Sequence, residues 1–170
     1  LMLDNHVDFV LSWIGLSLTA RVEVPVNTAY RGAIFAHVVN NCGARVIVIE
    51  DVYCDRLAEI ADRLTDLTTI VVRGDLARAK FPSRFKVLGF DNLHGAPAAP
   101  EKLDPWDLIG IMYTSGTTGL SKGVRVTHAH AYGYCTPAVF GAATPDDTNL
   151  VLLPLFHVGG QWAGLYNALI

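Results

Sequence analysis

Short runs of β-branched residues alternate with helical patterns through the first half of the chain. Residues 45–50 (RVIVIE) and residues 69–72 (TIVV) each predict a buried strand, and apolar residues recur at helical spacing before and between them. This alternation is typical of strand-helix-strand units with right-handed crossovers. We therefore expect an α/β fold with stacked strand-helix units on a largely parallel sheet.

The same periodicities predict the remaining elements. Asp4 and Asn5 are candidate caps of a first helix that starts near Val7, and Gly43 is expected to end a second helix in the left-handed conformation. Residues 1–3 are expected to be the end of a further strand. The other expected helices lie at residues 33–41, 54–64, 128–140 and 160–170, and the other expected strands at residues 22–26, 109–113, 124–127 and 150–153.

Residues 111–124 (IMYTSGTTGLSKGV) pass from an apolar run into hydroxyl residues, glycines and a lysine. Glycines can take backbone conformations that turn successive amides toward one anion, while hydroxyls donate hydrogen bonds and the lysine adds positive charge. The loop follows the carboxyl end of a strand, where open α/β sheets place their ligands, so the segment predicts a phosphate site. A flexible linker is the alternative interpretation. The candidate phosphate ligands are Thr114, Ser115, Gly116, Thr117, Thr118, Gly119 and Lys122.

The spacing of this loop differs from that of the P-loop NTPases, in which the lysine directly follows the last glycine. Here Leu120 and Ser121 separate Gly119 from Lys122. The segment instead resembles the phosphate loop of the adenylate-forming superfamily, which includes acyl-CoA synthetases, luciferases and the adenylation domains of peptide synthetases. Ser121 stands where that family usually carries proline.

Two further segments carry the same resemblance in the expected order. Residues 22–32 (VEVPVNTAYRG) are similar to an early strand and turn of acyl-CoA synthetases, and residues 153–160 (LPLFHVGG) are similar to their substrate-side segment. Within the superfamily the resemblance is to the crotonobetaine/carnitine-CoA ligase type. Ala20 and Arg21 replace the Gly-Ala pair expected before the first of these segments.

The resemblance implies part of an AMP-forming acyl-CoA synthetase, a class that serves fatty acid metabolism. Such an enzyme uses ATP with Mg²⁺ to convert a small carboxylic acid into acyl-AMP and then transfers the acyl group to coenzyme A. It implies catalytic roles for Lys122 and His157, and it places His157, Val158 and Gly159 in the acyl-binding pocket.

The resemblance also implies what a chain of this length lacks. In the family, the groups that bind adenine, ribose and metal, and a mobile C-terminal lid with a catalytic lysine, come later in the chain. We therefore expect residues 1–170 to be an incomplete fragment of the N-terminal AMP-binding domain, without the C-terminal lid domain and inactive alone. The identity of the acid and the oligomeric state are not indicated by the sequence.

Other interpretations stay open from the residues alone. His157 could be a hydrogen-bonded core histidine, since a histidine in an apolar segment often is. His128 and His130 form an HxH pair, but no third ligand has a fitting spacing, so we expect a helix start and no metal site. The chain could also belong to a peptide-synthetase adenylation domain or to a non-enzymatic nucleotide-binding module.

Composition limits the partners and the compartment. The chain has a net charge of -3 with scattered basic residues, so no basic stripe for nucleic acid is expected. No apolar run approaches the about 18 residues of a transmembrane helix, and three cysteines without paired spacing predict reduced, buried thiols in a cytoplasmic protein. Residues 148–170 contain no Asp, Glu, Lys or Arg and close without a glycine or basic last turn to end a helix, and residues 1–3 begin as the tail of a strand, so we expect both ends of the chain to be cuts.

Overall fold

The computed structural model describes residues 1–93, 95–114, 120–136, 139, 141, 144 and 146–169. The chain forms two compact units. The first comprises Leu1–Leu3, Val26–Ala98 and Tyr113–Gly123, and the second comprises Asp4–Pro25, Ala99–Met112 and Val124–Ile170. The chain crosses between the two units several times, and one of these crossings lies between Ala98 and Ala99.

The first unit is built on a three-stranded parallel sheet in the order β1-β2-β3. The strands are β1 (Val46–Glu50), β2 (Thr69–Arg73) and β3 (Lys86–Gly89). Strand β2 lies between the other two, and its three middle residues are all buried, as expected for a parallel strand with neighbours on both edges. Met2 extends the sheet by a parallel bridge to Ile49 of β1.

Two helices pack against this sheet. Helix α2 (Gly32–Asn41) buries Phe35, Val38 and Val39 in the apolar core of the unit, and helix α3 (Cys54–Ala58) buries Leu57 there. Helix α2 is terminated by Gly43, which takes the positive φ of 63° without a steric clash because it has no Cβ, as the sequence predicts.

In its described part, the second unit contains two α-helices and most of a two-stranded sheet. Helix α1 (Val7–Leu18) buries Phe9 and Trp13, and helix α4 (His128–Tyr134) begins at the cap Thr127. Strands β4 (Leu108–Thr114) and β5 (Lys122–Thr127) form a two-stranded sheet. A π-helical segment, Gly159–Leu165, runs into a 3-10 turn at Tyr166–Ala168. Among the described residues, no helix is long and apolar enough to cross a membrane.

The fold class is confirmed, as are the strands that became β1, β2, β4 and β5, but several boundaries are wrong. Residues 22–26 make only a parallel bridge from Glu23 to Gly110, because Pro25 has no N–H to extend a ladder. Residues 150–153 form no strand, and Leu150 and Leu152 are exposed. The sequence did not predict β3.

The helix ends also differ from the prediction. Helix α1 is capped by His6, whose Nδ1 accepts from the Asp8 amide over 3.1 Å, and not by Asp4 or Asn5. The helix expected over residues 54–64 breaks after Ala58 and resumes as a 3-10 turn, and the described part of the helix expected over residues 128–140 ends at Tyr134. Pro137 follows closely, and a proline disfavours helical backbone in the residue before it.

Candidate active site

The candidate phosphate loop begins and ends at two exposed residues that fold next to each other. Strand β4 ends at Thr114, and strand β5 begins at Lys122. The Thr114 Oγ1 lies 3.5 Å from the Lys122 carbonyl oxygen, a contact too long to occupy the hydroxyl fully. Five predicted phosphate ligands lie outside the described residues, and their role stays a prediction: Ser115, Gly116, Thr117, Thr118 and Gly119.

Helix α2 holds the residues on either side of this loop. The Tyr113 hydroxyl donates to the Asn41 side-chain oxygen over 2.7 Å, and His37 Nε2 lies 2.9 Å from the Ser121 carbonyl oxygen. The His37 and Tyr113 rings meet edge to face with centroids 6.4 Å apart. Burial raises the pKa of Tyr113 to about 12, so its phenol stays a donor at neutral pH. No signal in the helical pattern of α2 predicts these roles for His37 and Asn41.

The substrate-side segment forms a tight turn that exposes His157. The His157 carbonyl oxygen accepts from the amides of Gly160 and Gln161, each over 3.0 Å. His157 Nδ1 accepts from the Gly159 amide over 3.1 Å, which assigns the proton of the neutral ring to Nε2. The imidazole is exposed, so the core-histidine interpretation is wrong. Its neighbours Val158 and Gly159 are half-buried, and their predicted contact with substrate stays a prediction.

Backbone contacts fix this turn closely. Asn5 donates its side-chain amide to the Leu153 carbonyl over 3.0 Å and accepts from the Leu155 amide over 2.8 Å. Gly160 lies so close to the start of the turn that a Cβ there would be 2.3 Å from the Pro154 carbonyl oxygen. The glycine is therefore required by the close approach of two backbone segments.

A buried carboxyl and a buried amide lie behind the turn. Gln161 Nε2 donates to Glu23 Oε2 over 2.6 Å, and both side chains are within 1% of complete burial. The backbone of Glu23 pairs with strand β4, because its amide donates to the Ile109 carbonyl over 3.1 Å and its carbonyl accepts from the Ile111 amide over 2.8 Å. The only sequence signal for Glu23 is an acidic residue within an apolar run.

The described residues gather no metal ligands. No group of three or more His, Cys, Asp and Glu among them is placed to hold an ion. His130 instead belongs to the start of helix α4, where its amide donates to Thr127 Oγ1 over 3.2 Å, and the His128 amide donates to the Asp107 carbonyl over 3.1 Å. This arrangement confirms the helix-start interpretation of the HxH pair.

The three cysteines are free thiols. Cys54 and Cys135 are buried and Cys42 is half-buried, so the expectation of buried cysteines is confirmed for two of the three. Burial raises the pKa of Cys54 and of Cys135 to about 11, which keeps these thiols protonated and unreactive at neutral pH.

The whole chain matches one protein family. Residues 1–170 fit the family model described as AMP-binding enzyme. The chain belongs to the AMP-binding enzyme family. The motifs at residues 22–32, 111–124 and 153–160 are thus features of an AMP-binding chain, and the family resemblance inferred from them is confirmed.

Two curated proteins similar to this chain are named as CoA ligases. The chain is 34% identical over 166 residues to 4-coumarate-CoA ligase 1 of Narcissus pseudonarcissus, covering 93% of this chain and 29% of that protein. It is 29% identical over 168 residues to the crotonobetaine/carnitine–CoA ligase of Salmonella typhi, covering 95% of this chain and 32% of that protein. Identity to the coumarate enzyme is thus higher than identity to the crotonobetaine type. The chain spans about a third of the length of these relatives.

A solved structure confirms the fold. The anthranilate CoA ligase AuaEII, crystallised with anthranoyl-AMP, superposes with a TM-score of 0.86 at 23% identity, over 99% of this chain and 32% of that one. The described architecture of this AMP-binding chain is therefore that of the matching third of a known adenylate-forming ligase.

Proposed function

We propose that this chain is part of an ATP-dependent acyl-CoA synthetase and that its loop between β4 and β5 holds the ATP phosphates. The supporting observation is the base of that loop, where exposed Thr114 and Lys122 flank the glycine and hydroxyl residues. The carboxylate substrate attacks the α-phosphate while pyrophosphate leaves, and this step requires neutralisation of the charge that builds on the leaving group. The Lys122 ammonium and the hydroxyl of Thr114 supply positive charge and a donor for that purpose.

The second candidate element is the turn that carries His157. With Nδ1 accepting from Gly159, this tautomer carries its proton on Nε2 and can donate a hydrogen bond there. It can therefore donate to an oxygen of the acid substrate, whereas Nε2 has no free lone pair with which to bind a metal or accept a proton. We propose that His157, with Val158 and Gly159, lines the acyl pocket. The substrate is a small carboxylic acid, as the coumarate, crotonobetaine and anthranilate names of the similar ligases suggest.

The remaining partners of the reaction follow from its chemistry. The second half-reaction would transfer the acyl group from AMP to the thiol of coenzyme A. Mg²⁺ supplies charge neutralisation on ATP phosphates, and it commonly binds through few carboxylates together with the phosphates themselves. Since the described residues gather no carboxylate cluster, we assign no residue of this chain to the metal. Fatty acid metabolism and a cytoplasmic location remain part of the proposal.

Pyrophosphate exchange tests the role of the loop. In the full-length protein, we expect Lys122→Ala to slow acid-dependent ATP-pyrophosphate exchange by about 10-fold to 150-fold, the equivalent of a lost charged hydrogen bond of about 1.5 to 3 kcal/mol. The melting temperature should be unchanged, since Lys122 is exposed. Lys102→Ala is the matched control, because Lys102 is an exposed lysine of the connecting segment. Exchange by Lys122→Ala at the rate of this control would remove Lys122 from the mechanism.

Exchange also tests the activity itself. Candidate acids for the assay are 4-coumarate, crotonobetaine, carnitine, anthranilate and medium-chain fatty acids. Exchange that depends on one of these acids, followed by thioester formation only when coenzyme A is added, supports the proposed function. Acid-dependent exchange followed by loading of a carrier-protein thiol in place of coenzyme A would favour the peptide-synthetase interpretation.

A further inference from the structure

Glu23 is a charged residue type in a position that should be apolar. It lies in the VEVPV run at residues 22–26, its exposed fraction is 1%, and no side chain of opposite charge is among its hydrogen-bond partners in the described part of the chain. A carboxyl in such a place is costly to bury unless it is neutral or well hydrogen-bonded. Its presence therefore requires a structural or functional reason.

The backbone of Glu23 is fixed to strand β4. Hydrogen bonds to the carbonyl of Ile109 and from the amide of Ile111 hold it on both sides, and its own carbonyl oxygen is 3.3 Å from where a Cβ on Gly110 would lie. Larger residues at position 110 would push against this bridge. Glu23 is thus positioned by the strand that leads to Thr114.

The side chain of Glu23 reaches the segment that carries His157. Its Oε2 accepts from Gln161, whose exposed fraction is 0%. The backbone amide of Gln161 in turn donates to the His157 carbonyl over 3.0 Å, at the start of the π-helical segment. One side-chain hydrogen bond therefore connects strand β4 to the backbone of His157, although Glu23 and Gln161 are 138 residues apart in the chain.

The remaining oxygens of the pair indicate how it is held. Glu23 Oε1 and Gln161 Oε1 are both buried, and neither has a hydrogen-bond partner among the described residues. Burial raises the pKa of Glu23 to about 7, so the carboxyl carries a proton far more often than a solvated glutamate does. A proton on one oxygen makes it a donor, and the amide oxygen is an acceptor within the same pair. A carboxylic acid facing an amide can thus complete a second hydrogen bond after a small rotation.

We propose that Glu23 is a positioning residue of the acyl-adenylate reaction, which joins strand β4 to Gln161 and thereby sets the place of His157. This inference rests on the proposed function of the His157 segment. Glu23 touches neither substrate nor reacting atoms in this scheme. Its contribution is to keep the Nε2–H donor of His157 at a fixed place relative to β4, where a displacement of about 1 Å can cost about 100-fold in rate.

Hydrogen exchange measured by mass spectrometry tests the link without any assay of activity. In the full-length protein, we expect Glu23→Ala and Gln161→Ala each to speed amide exchange in residues 157–165 by at least tenfold. Glu23→Gln keeps the shape and hydrogen-bonding capacity of the side chain and should stay within threefold of wild type. Glu50→Ala is the control, since it removes a carboxylate paired with Arg73 in the other unit and should leave these amides unchanged. If Glu23→Ala does not fold, Glu23→Leu fills the same space without the hydrogen bond.

The steady-state kinetics of ATP-pyrophosphate exchange test the positioning role of Glu23. With an acid that supports ATP-pyrophosphate exchange, Glu23→Ala should raise the KM for the acid at least tenfold and leave the KM for ATP within twofold. Gln161→Glu places a second carboxyl against Glu23 and should also raise the KM for the acid at least tenfold, and adding Glu23→Gln to it restores one acid and one amide and should return this KM to within threefold of wild type. A purely structural role would lower both substrates' kcat/KM together and would show no rescue by the exchange.

The outcomes separate this inference from the proposed function. Wild type without acid-dependent exchange would contradict the proposed function, and unchanged amide exchange in Glu23→Ala would overturn the link between Glu23 and the His157 segment. Faster amide exchange with an unchanged KM for the acid would overturn the positioning role alone.

Discussion

Replacing Gly160 by alanine adds a methyl group where two backbone segments already touch. The new Cβ would lie 2.3 Å from the Pro154 carbonyl oxygen and 2.6 Å from the Leu153 carbonyl oxygen. Ordinary contact starts at 3.4 Å, so the turn would have to open by about 3.4 − 2.3 = 1.1 Å. Neither oxygen belongs to a flexible side chain, and the displacement therefore moves the backbone that carries His157.

The size of the effect follows from this displacement. Insertion of a methyl group into a tightly packed site costs about 1 to 3 kcal/mol of stability, and a misplacement of about 1 Å near a reacting group can cost about 100-fold in rate. We therefore expect Gly160→Ala to lower the free energy of unfolding by about 1 to 3 kcal/mol. We also expect its acid-dependent pyrophosphate exchange to fall by about 100-fold, with ATP affinity nearly unchanged.

Gly159→Ala is the matched control at the next position. Its Cβ would meet the Leu153 Cδ1 at 2.8 Å, the end of a side chain that can rotate away, and His157 Nδ1 only at 3.4 Å. Alanine also favours helical backbone over glycine by about 1 kcal/mol, so we expect this variant to keep wild-type stability within about 1 kcal/mol. Urea denaturation and exchange kinetics of the full-length variants measure both effects. Because Gly159 is itself proposed to line the acyl pocket, the control applies to stability alone, and equal stability of Gly160→Ala and Gly159→Ala would refute the argument from close approach.

Three more predictions concern the acyl side, the buried carboxyl and the isolated chain. His157→Ala should impair adenylation of the acid and leave ATP binding, measured by calorimetry on the full-length protein, nearly intact; equal loss of both would contradict its pocket role. Burial raises the pKa of Glu23 from 4.5 to about 7, so the folded state keeps a proton that the unfolded chain loses between these values, and stability falls as pH rises from 4.5 to 7. The difference of about 2.5 pH units corresponds to about 3 kcal/mol, which urea denaturation should find in wild type and not in Glu23→Gln; identical pH profiles of the two proteins would argue against a buried titrating Glu23. Residues 1–170 expressed alone should bind a hydrophobic dye strongly, because Leu150 and Leu152 are 75% and 79% exposed, and should form no acyl-AMP; a monomer with weak dye binding would contradict the expectation of a fragment.

The strands of the sheet could be predicted from the sequence where a single segment contained a continuous β-branched, apolar run. The first four residues of each of the segments 46–50 and 69–73 are β-branched, with burial at alternate positions in one and successive positions in the other, and the segments form β1 and β2 as expected. Strand β3 was missed because its four residues include Lys86 and Gly89 and leave only two apolar positions as a signal. Residues 150–153 are as apolar as β1 and β2 but form no strand. A strand also requires a neighbouring strand to pair with, and no local sequence pattern reveals that neighbour.

The candidate site was predictable to a similar extent. Glycines, hydroxyls and a lysine within one short segment suggest their chemistry from local sequence alone, and so does a histidine that lies two positions before a pair of glycines. Glu23, His37 and Asn41 act through residues more than 70 positions away, so their roles depend on the tertiary fold. The π-helical form of residues 159–165 was also unpredictable in detail, although Gly159 and Gly160 weaken α-helical propensity there.

The anchoring of the candidate phosphate loop by helix α2 has a consequence for the order of folding. The bonds from Asn41 to Tyr113 and from His37 to Ser121 close chain loops of 72 and 84 residues, so they carry a large entropy of closure and form late. During synthesis α2 leaves the ribosome well before strand β4 does, and it must wait for its partners. Local unfolding of α2 would release both anchors together while β4 and β5 keep their mutual hydrogen bonds, and under the proposed function nucleotide affinity would then depend on the stability of α2.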